Sequence, residues 1–248
     1  MWNTPYDNAF FREYAEDLTG FSGVASPPGT APSAAALARV AAETGVVLVG
    51  GSVPEIDAAG RVYNTCLVLD GSGKVLGKHR KVHLFDVDIP GGITFKESET
   101  LTAGDAVTVV DTPLGIRLGV GICFDIRFPE MAAVACNRGA HVLVYPGAFN
   151  TTTGPLHWQL LQQARAVDNL VFCLTCSPAR QPGASYQAWG HSTAVGPFAE
   201  VLATCDEKPC TVMADLDMGA LEKRRRAIPL YSQRRGDLYT LTDCAQKP

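Results

Sequence analysis

The stretch Ile116-Arg117-Leu118-Gly119-Val120-Gly121-Ile122-Cys123-Phe124-Asp125 decides how the rest of the chain is read. Its first five residues make an apolar run of the kind buried in a sheet. Residues 127–139 follow with Phe128, Met131, Ala132 and Ala135 at helical spacing, and Gly139 is a natural helix stop. Cys123 therefore falls where a strand runs into a helix. A helix N-terminus stabilises negative charge, and the thiolate is the form of cysteine that attacks a carbonyl. The same residue also reads as a small buried hydrophobe, which is what most free cysteines are.

Working outward, the pattern alternates strands with a few helices. A Ser/Pro/Gly/Ala-rich loop over 22–36 leads into a helix at 34–44 that stops at Gly45, and a buried strand follows at 46–53. Strands at 62–69 and 75–81 flank Asp70-Gly71-Ser72-Gly73, a hairpin signal. Residues 83–105 have little periodicity, and a loop this long is usually functional or disordered. Phe85, Ile89, Ile93 and Phe95 favour an ordered loop. Strands at 107–111 and 115–122 precede the Cys123 helix, and a strand at 141–145, a helix at 155–169 and a buried strand at 170–176 come after it. Residues 189–196, 201–204 and 210–216 read as antiparallel strands, and a short helix covers 217–227. Strands with helices between them suit layered sheets covered by helices.

At 248 residues the chain is long enough to bury a large core as one domain without disulfides. A net charge of −4 argues against nucleic acid as a partner, and no apolar run approaches the ~20 residues of a membrane span. The basic run 223–226 reads as a solvated helix face. The eight cysteines lie at irregular spacings, which suits a reducing compartment. Cys173 and Cys176 are three apart on a strand, so they face opposite sides and cannot pair. Cys205 and Cys210 flank a turn at 206–209 and are read as reduced thiols.

Chemistry at Cys123 needs a cation and a proton carrier. Lys81 is either a solvated strand end or a cation that holds a thiolate and then an oxyanion. His79, His83, His141, His157 and His191 leave a Cys/His hydrolase open. Glu97 and Glu99 are carboxylate candidates, with solvated loop charges as the alternative. No metal-ligand spacing and no phosphate-cradling glycine loop is present, so no metal and no cofactor is expected.

Six segments together carry a resemblance. They are 78–90 (KHRKVHLFDVDIP), 92–105 (GITFKESETLTAGD), 121–130 (GICFDIRFPE), 145–158 (YPGAFNTTTGPLHW), 165–169 (RAVDN) and 188–193 (AWGHST). They resemble the nitrilase superfamily of carbon–nitrogen hydrolases, most of all its ω-amidase branch, over residues 2–239. The resemblance implies an α/β fold, a four-layer α-β-β-α sandwich that forms homodimers. It also implies hydrolysis of small amides through a thioester by a cysteine, glutamate and lysine triad. By position, Cys123 matches the nucleophile, Lys81 the triad lysine and Glu97 a second, supporting glutamate, with the backbone amide after Cys123 completing an oxyanion hole. The substrates implied are monoamides of short dicarboxylic acids, chiefly α-ketoglutaramate and α-ketosuccinamate. Their free carboxylate calls for a cation, for which Arg127 and Arg165 are the candidates, each equally suited to a structural ion pair.

The triad's first glutamate, the general base, stands in the family in a Leu-Pro-Glu motif just ahead of the stretch matching residues 2–6. That position falls before Met1, together with the first strand and helix of the sandwich. Glu13 and Glu16 match a surface helix over 10–17 instead. The expectation is therefore one hydrolase domain over 1–248, N-terminally incomplete, with weak or no amidase activity, since losing a general base costs ~10²–10⁴ in rate. Full turnover by the purified 248-residue chain would overturn that expectation. A non-catalytic partner of a longer homologue, or an amidase of another branch, are the alternatives. Cytoplasm is the expected compartment, with the mitochondrion open if a leader preceded Met1.

Overall fold

Val62–Leu69 is buried along its whole length, which makes it the central strand of the first of two compact units, Met1–Gly115 and Ile116–Pro248. The computed structural model describes residues 1–26, 29, 31–88, 90 and 94–245. In the first unit, the elements are α1 (Asn8–Phe11), β1 (Glu16–Asp17), α2 (Pro32–Thr44), β2 (Leu48–Val49), β3 (Val53–Ile56), β4 (Val62–Leu69) and β5 (Val75–Arg80), then β6 (Asp86–Asp88), β7 (Thr94–Lys96) and β8 (Thr108–Asp111). β4 pairs antiparallel with β2, β3 and β5, and β1 joins β3 in parallel. The hairpin read at 70–73 closes through Gly73 N–H donating to the Asp70 carbonyl at 2.8 Å.

Helix α2 covers this sheet with Ala34, Ala38 and Ala41, packed against Leu18, Val53, Leu67 and Leu69. Small residues on that face let the helix approach closely, and Gly45 ends it at φ 71°, where a side chain would be strained. Glu16 departs from its expected place on a surface helix. It is buried in β1, and its carboxylate accepts from the N–H groups of Ser33 and Ala34, satisfying two orphan donors at the start of α2. The strand read at 46–53 is two short strands, β2 and β3. The loop at 83–105 contains the β6–β7 ribbon and a 3₁₀ turn, Glu97–Glu99. Ile89 and Ile93 lie outside the described residues.

The second unit has β9 (Arg117–Val120), α3 (Pro129–Asn137), β10 (Val142–Pro146), α4 (Gln159–Asn169), β11 (Phe172–Cys176), β12 (Thr193–Val195), β13 (Val201–Thr204), α5 (Met218–Ala227) and α6 (Leu230–Gln233). β9, β10 and β11 run parallel, joined by α3 and α4, and β12 and β13 add antiparallel strands. Parallel neighbours need such helical crossovers, which cover the sheet. A π-helical turn at Gly154–Trp158 leads directly into α4, so the helix read at 155–169 has two parts. Residues 210–216 form no strand, contrary to expectation. They are mostly apolar, yet they pair with no sheet edge among the described residues. Cys173 is buried and Cys176 exposed, as opposite strand faces require, and both are free. Cys205 and Cys210 are also free, and the Cys205 thiol beside it pushes Cys210 up to about 11.

Candidate active site

Cys123 opens a short 3₁₀ turn, Cys123–Arg127, and α3 starts only at Pro129. The helix expected from 127 is delayed because Pro129 has no N–H to continue the turn and restricts Phe128 to extended backbone. Cys123 itself has φ 50°, one of four non-glycine residues in this region among those described. A left-handed conformation costs a non-glycine residue roughly 1–2 kcal/mol, so its neighbours must impose it.

Three contacts do so. The buried Asp125 carboxylate accepts from Ile122 N–H at 2.9 Å, and Asp125 N–H donates to the Ile122 carbonyl at 3.0 Å, closing the front of the turn. Gly147, just after β10, lies so close that a methyl group there would sit 2.6 Å from Cys123 Cα. Gly147→Ala is therefore expected to push the turn aside, costing about 1–3 kcal/mol of stability and about 10²-fold in turnover. Unfolding and rate measurements check it; a wild-type rate would show that the turn tolerates the shift. Neither Asp125 nor Gly147 was singled out from sequence, although both lie inside quoted motifs.

The half-buried thiol donates to the Ala148 carbonyl at 3.6 Å, which also accepts from the Tyr186 hydroxyl at 2.7 Å. Among the described residues no histidine bonds to it, which removes support for a Cys/His pair. His79 contacts Thr108, His141 accepts from Arg117 N–H, His157 faces Arg127, and His191 stacks on Trp189.

Arg127 ends the same turn. Its guanidinium lies 4.8 Å from the Phe149 ring centroid and 5.7 Å from that of Phe124, with His157 Nδ1 3.3 Å away. No carboxylate among the described residues pairs with it. Burial holds its pKa below the ordinary arginine value, and the nearby Cys123 sulfur offsets part of that. Arg165 behaves differently: it is 5% exposed on α4, and its donors go to the Ile126 carbonyl (2.9 Å), the Arg127 carbonyl (3.3 Å) and Asp168 (3.3 Å).

In the first unit, Lys81 and Glu97 are brought together. Lys81 follows β5 and, unlike a solvated strand end, is 1% exposed. Its ammonium donates to Glu97 Oε2 at 2.5 Å. Phe85 N–H donates to the same oxygen at 2.7 Å, and the Tyr6 hydroxyl to Oε1 at 2.7 Å. Tyr6 was not foreseen; it stacks on Phe95 across 89 positions of sequence, a contact that no local pattern announces. Glu99 is exposed, as a solvated loop charge should be. No group of three or more His, Cys, Asp or Glu among the described residues is arranged to hold a metal. No helix among them is long and apolar enough to cross a membrane.

The chain is similar to known proteins along most of its length. The carbon–nitrogen hydrolase family model matches residues 1–226. The chain is 55% identical over 243 residues to the chloroplastic omega-amidase of Arabidopsis thaliana, covering 98% of this chain and 64% of that protein. It is 50% identical over 240 residues to Omega-amidase NIT2 of Homo sapiens, covering 97% and 82%. The crystal structure of Saccharomyces cerevisiae Nit3, a member of branch 10 of the nitrilase superfamily, matches with a TM-score of 0.81 at 43% identity, covering 93% of this chain and 79% of that one. The chain thus spans less than two thirds of the length of the Arabidopsis protein, and it has the α/β fold of these structures. It belongs to the carbon–nitrogen hydrolase family, within the nitrilase superfamily.

Proposed function

We propose that this chain is an amidase of the ω-amidase type and that its two compact units make up one hydrolase domain. The substrates are monoamides of short dicarboxylic acids, α-ketoglutaramate and α-ketosuccinamate. The observation that carries the reading is Cys123, forced to φ 50° on a turn whose other end presents Arg127, a half-buried guanidinium with no carboxylate partner among the described residues. Backbone strain at a thiol beside an unmatched cation suits a nucleophile next to an anion site.

In this reading the Cys123 sulfur attacks the amide carbon and the carbonyl oxygen becomes an oxyanion. Lys81, held by Glu97, and the N–H after Cys123 stabilise that charge. The C–N bond then breaks, ammonia leaves with the proton the nitrogen gains, and a thioester remains. Water attacks the thioester, releasing the carboxylic acid and restoring the thiol. Proton transfer at the thiol is the task that the resemblance gives to a further glutamate. Arg127 receives the substrate's far carboxylate.

Ammonia release from α-ketoglutaramate, compared with hydrolysis of an N-carbamoyl amino acid, tests the reading. Turnover of the carbamoyl compound alone would overturn it. Arg127→Met is expected to raise KM for α-ketoglutaramate roughly 10- to 100-fold, the worth of a charge-assisted bond, while sparing a neutral amide of the same length. Equal losses on both substrates would remove Arg127 from carboxylate binding.

A further inference from the structure

Arg165 is a buried arginine whose strongest partner is not a carboxylate. Helix α4 turns Gln162, Arg165, Ala166 and Asn169 inward, so the guanidinium lies in the interior at 5% exposure. A cation in such a place must be hydrogen-bonded to be tolerated. Asp168 stands 3.3 Å away on the same helix, but its side chain is 55% exposed, and a solvated i,i+3 pair offsets little of the burial. The closest bond, at 2.9 Å, goes from Nε to the Ile126 carbonyl, and Nη2 reaches the Arg127 carbonyl at 3.3 Å. These are the last two carbonyls of the turn that Cys123 opens, the end where a short helix leaves acceptors unpaired and carries partial negative charge.

We infer that Arg165 is a positioning residue: its planar fork grips the rear of the 123–127 turn and so holds Cys123 in its left-handed conformation. The inference deepens the amidase reading and rests on it for the role of Cys123. It also reassigns Arg165, one of the two cations considered for the substrate carboxylate. The front of the turn is closed by Asp125 on Ile122 N–H, and Gly147 packs on Cys123 Cα. Only Arg165 bonds its side chain to the rear carbonyls among the described residues. Releasing them lets the five-residue turn unwind toward ordinary backbone, which swings the sulfur away from the Ala148 carbonyl. A lysine keeps the charge but presents a point donor and cannot bridge two carbonyls.

The test needs no amide turnover. The reduced 248-residue chain is alkylated with neutral iodoacetamide and, separately, anionic iodoacetate, and mass spectrometry follows the Cys123 peptide. Exposed Cys210 serves as the internal rate standard, and buried Cys173 reports any unfolding. Arg165→Lys and Arg165→Gln are read in parallel, so that loss of fold in one leaves the other. Both are expected to slow Cys123 alkylation about 10-fold or more with both reagents, with Cys210 unchanged and lysine giving no rescue. Slowing confined to iodoacetate would make Arg165 an anion anchor, and rates at or above wild type would show that the turn is held without it. Either result overturns the inference. A wild-type chain that hydrolyses only the carbamoyl compound, while its Cys123 still depends on Arg165, would sink the ω-amidase reading and leave this one standing.

Discussion

Cys123→Ala is expected to abolish amide hydrolysis, by about 10⁴-fold or more, in any form of the protein that turns over. The alanine keeps the turn and its strain but has no atom that can form a thioester, so neither half of the reaction has a path. Turnover near the wild-type rate would remove Cys123 from the chemistry. A companion substitution separates function from strain. At φ 50° any side chain is penalised and glycine is not. Cys123→Gly should therefore be as inactive as the alanine variant yet roughly 1 kcal/mol more stable than it. Urea unfolding of the two variants measures the difference. Equal stabilities would mean that the turn relaxes once the sulfur is gone.

The second large effect is on stability. Glu97→Gln leaves the Lys81 ammonium, whose side chain is fully buried, facing a neutral amide. Removing one member of a buried ion pair typically costs about 3–5 kcal/mol, because the other charge has lost water and gained nothing. That is a large part of the ~5–15 kcal/mol that holds an ordinary domain folded. The glutamine can still accept from Phe85 N–H and the Tyr6 hydroxyl, so the loss reports the charge rather than those bonds. Lys81→Met should be costly too, since among the described residues it leaves a buried carboxylate with two neutral donors, Tyr6 and Phe85. The double variant, Lys81→Met with Glu97→Gln, should be more stable than the sum of the two single losses predicts, the signature of a coupled pair. Urea midpoints of the four proteins test this; a Glu97→Gln loss below 1 kcal/mol would mean that the pair is hydrated or already neutral.

Much of this was legible along the chain. Val62–Leu69 and Val201–Thr204 were read at their observed bounds, and helix α2 was placed to within two residues, because continuous apolar runs and a glycine stop are local signals. Motif and resemblance single out Cys123, Lys81 and Glu97 as candidates. Local reading failed where partners are distant. Residues 210–216 have the apolar content of a strand but join no sheet edge among the described residues. Glu16 looked like a surface-helix residue, although its carboxylate is buried against the start of α2, 17 residues on. Tyr6 carried no local signal of its role, because its hydroxyl bonds a carboxylate 91 positions away.

By itself the sequence determined the class of protein, the order of its main strands and helices, and the thiol, ammonium and carboxylate on offer, since periodicity, stop residues and residue type are properties of short segments. Only the tertiary structure decided what those groups face. It drew Lys81 out of water against Glu97, turned Cys123 into a left-handed elbow between Asp125 and Gly147, and set one arginine of the turn region against aromatic rings and the other onto backbone carbonyls. Burial and backbone strain are sums over contacts from distant parts of the chain, so no window of sequence contains them.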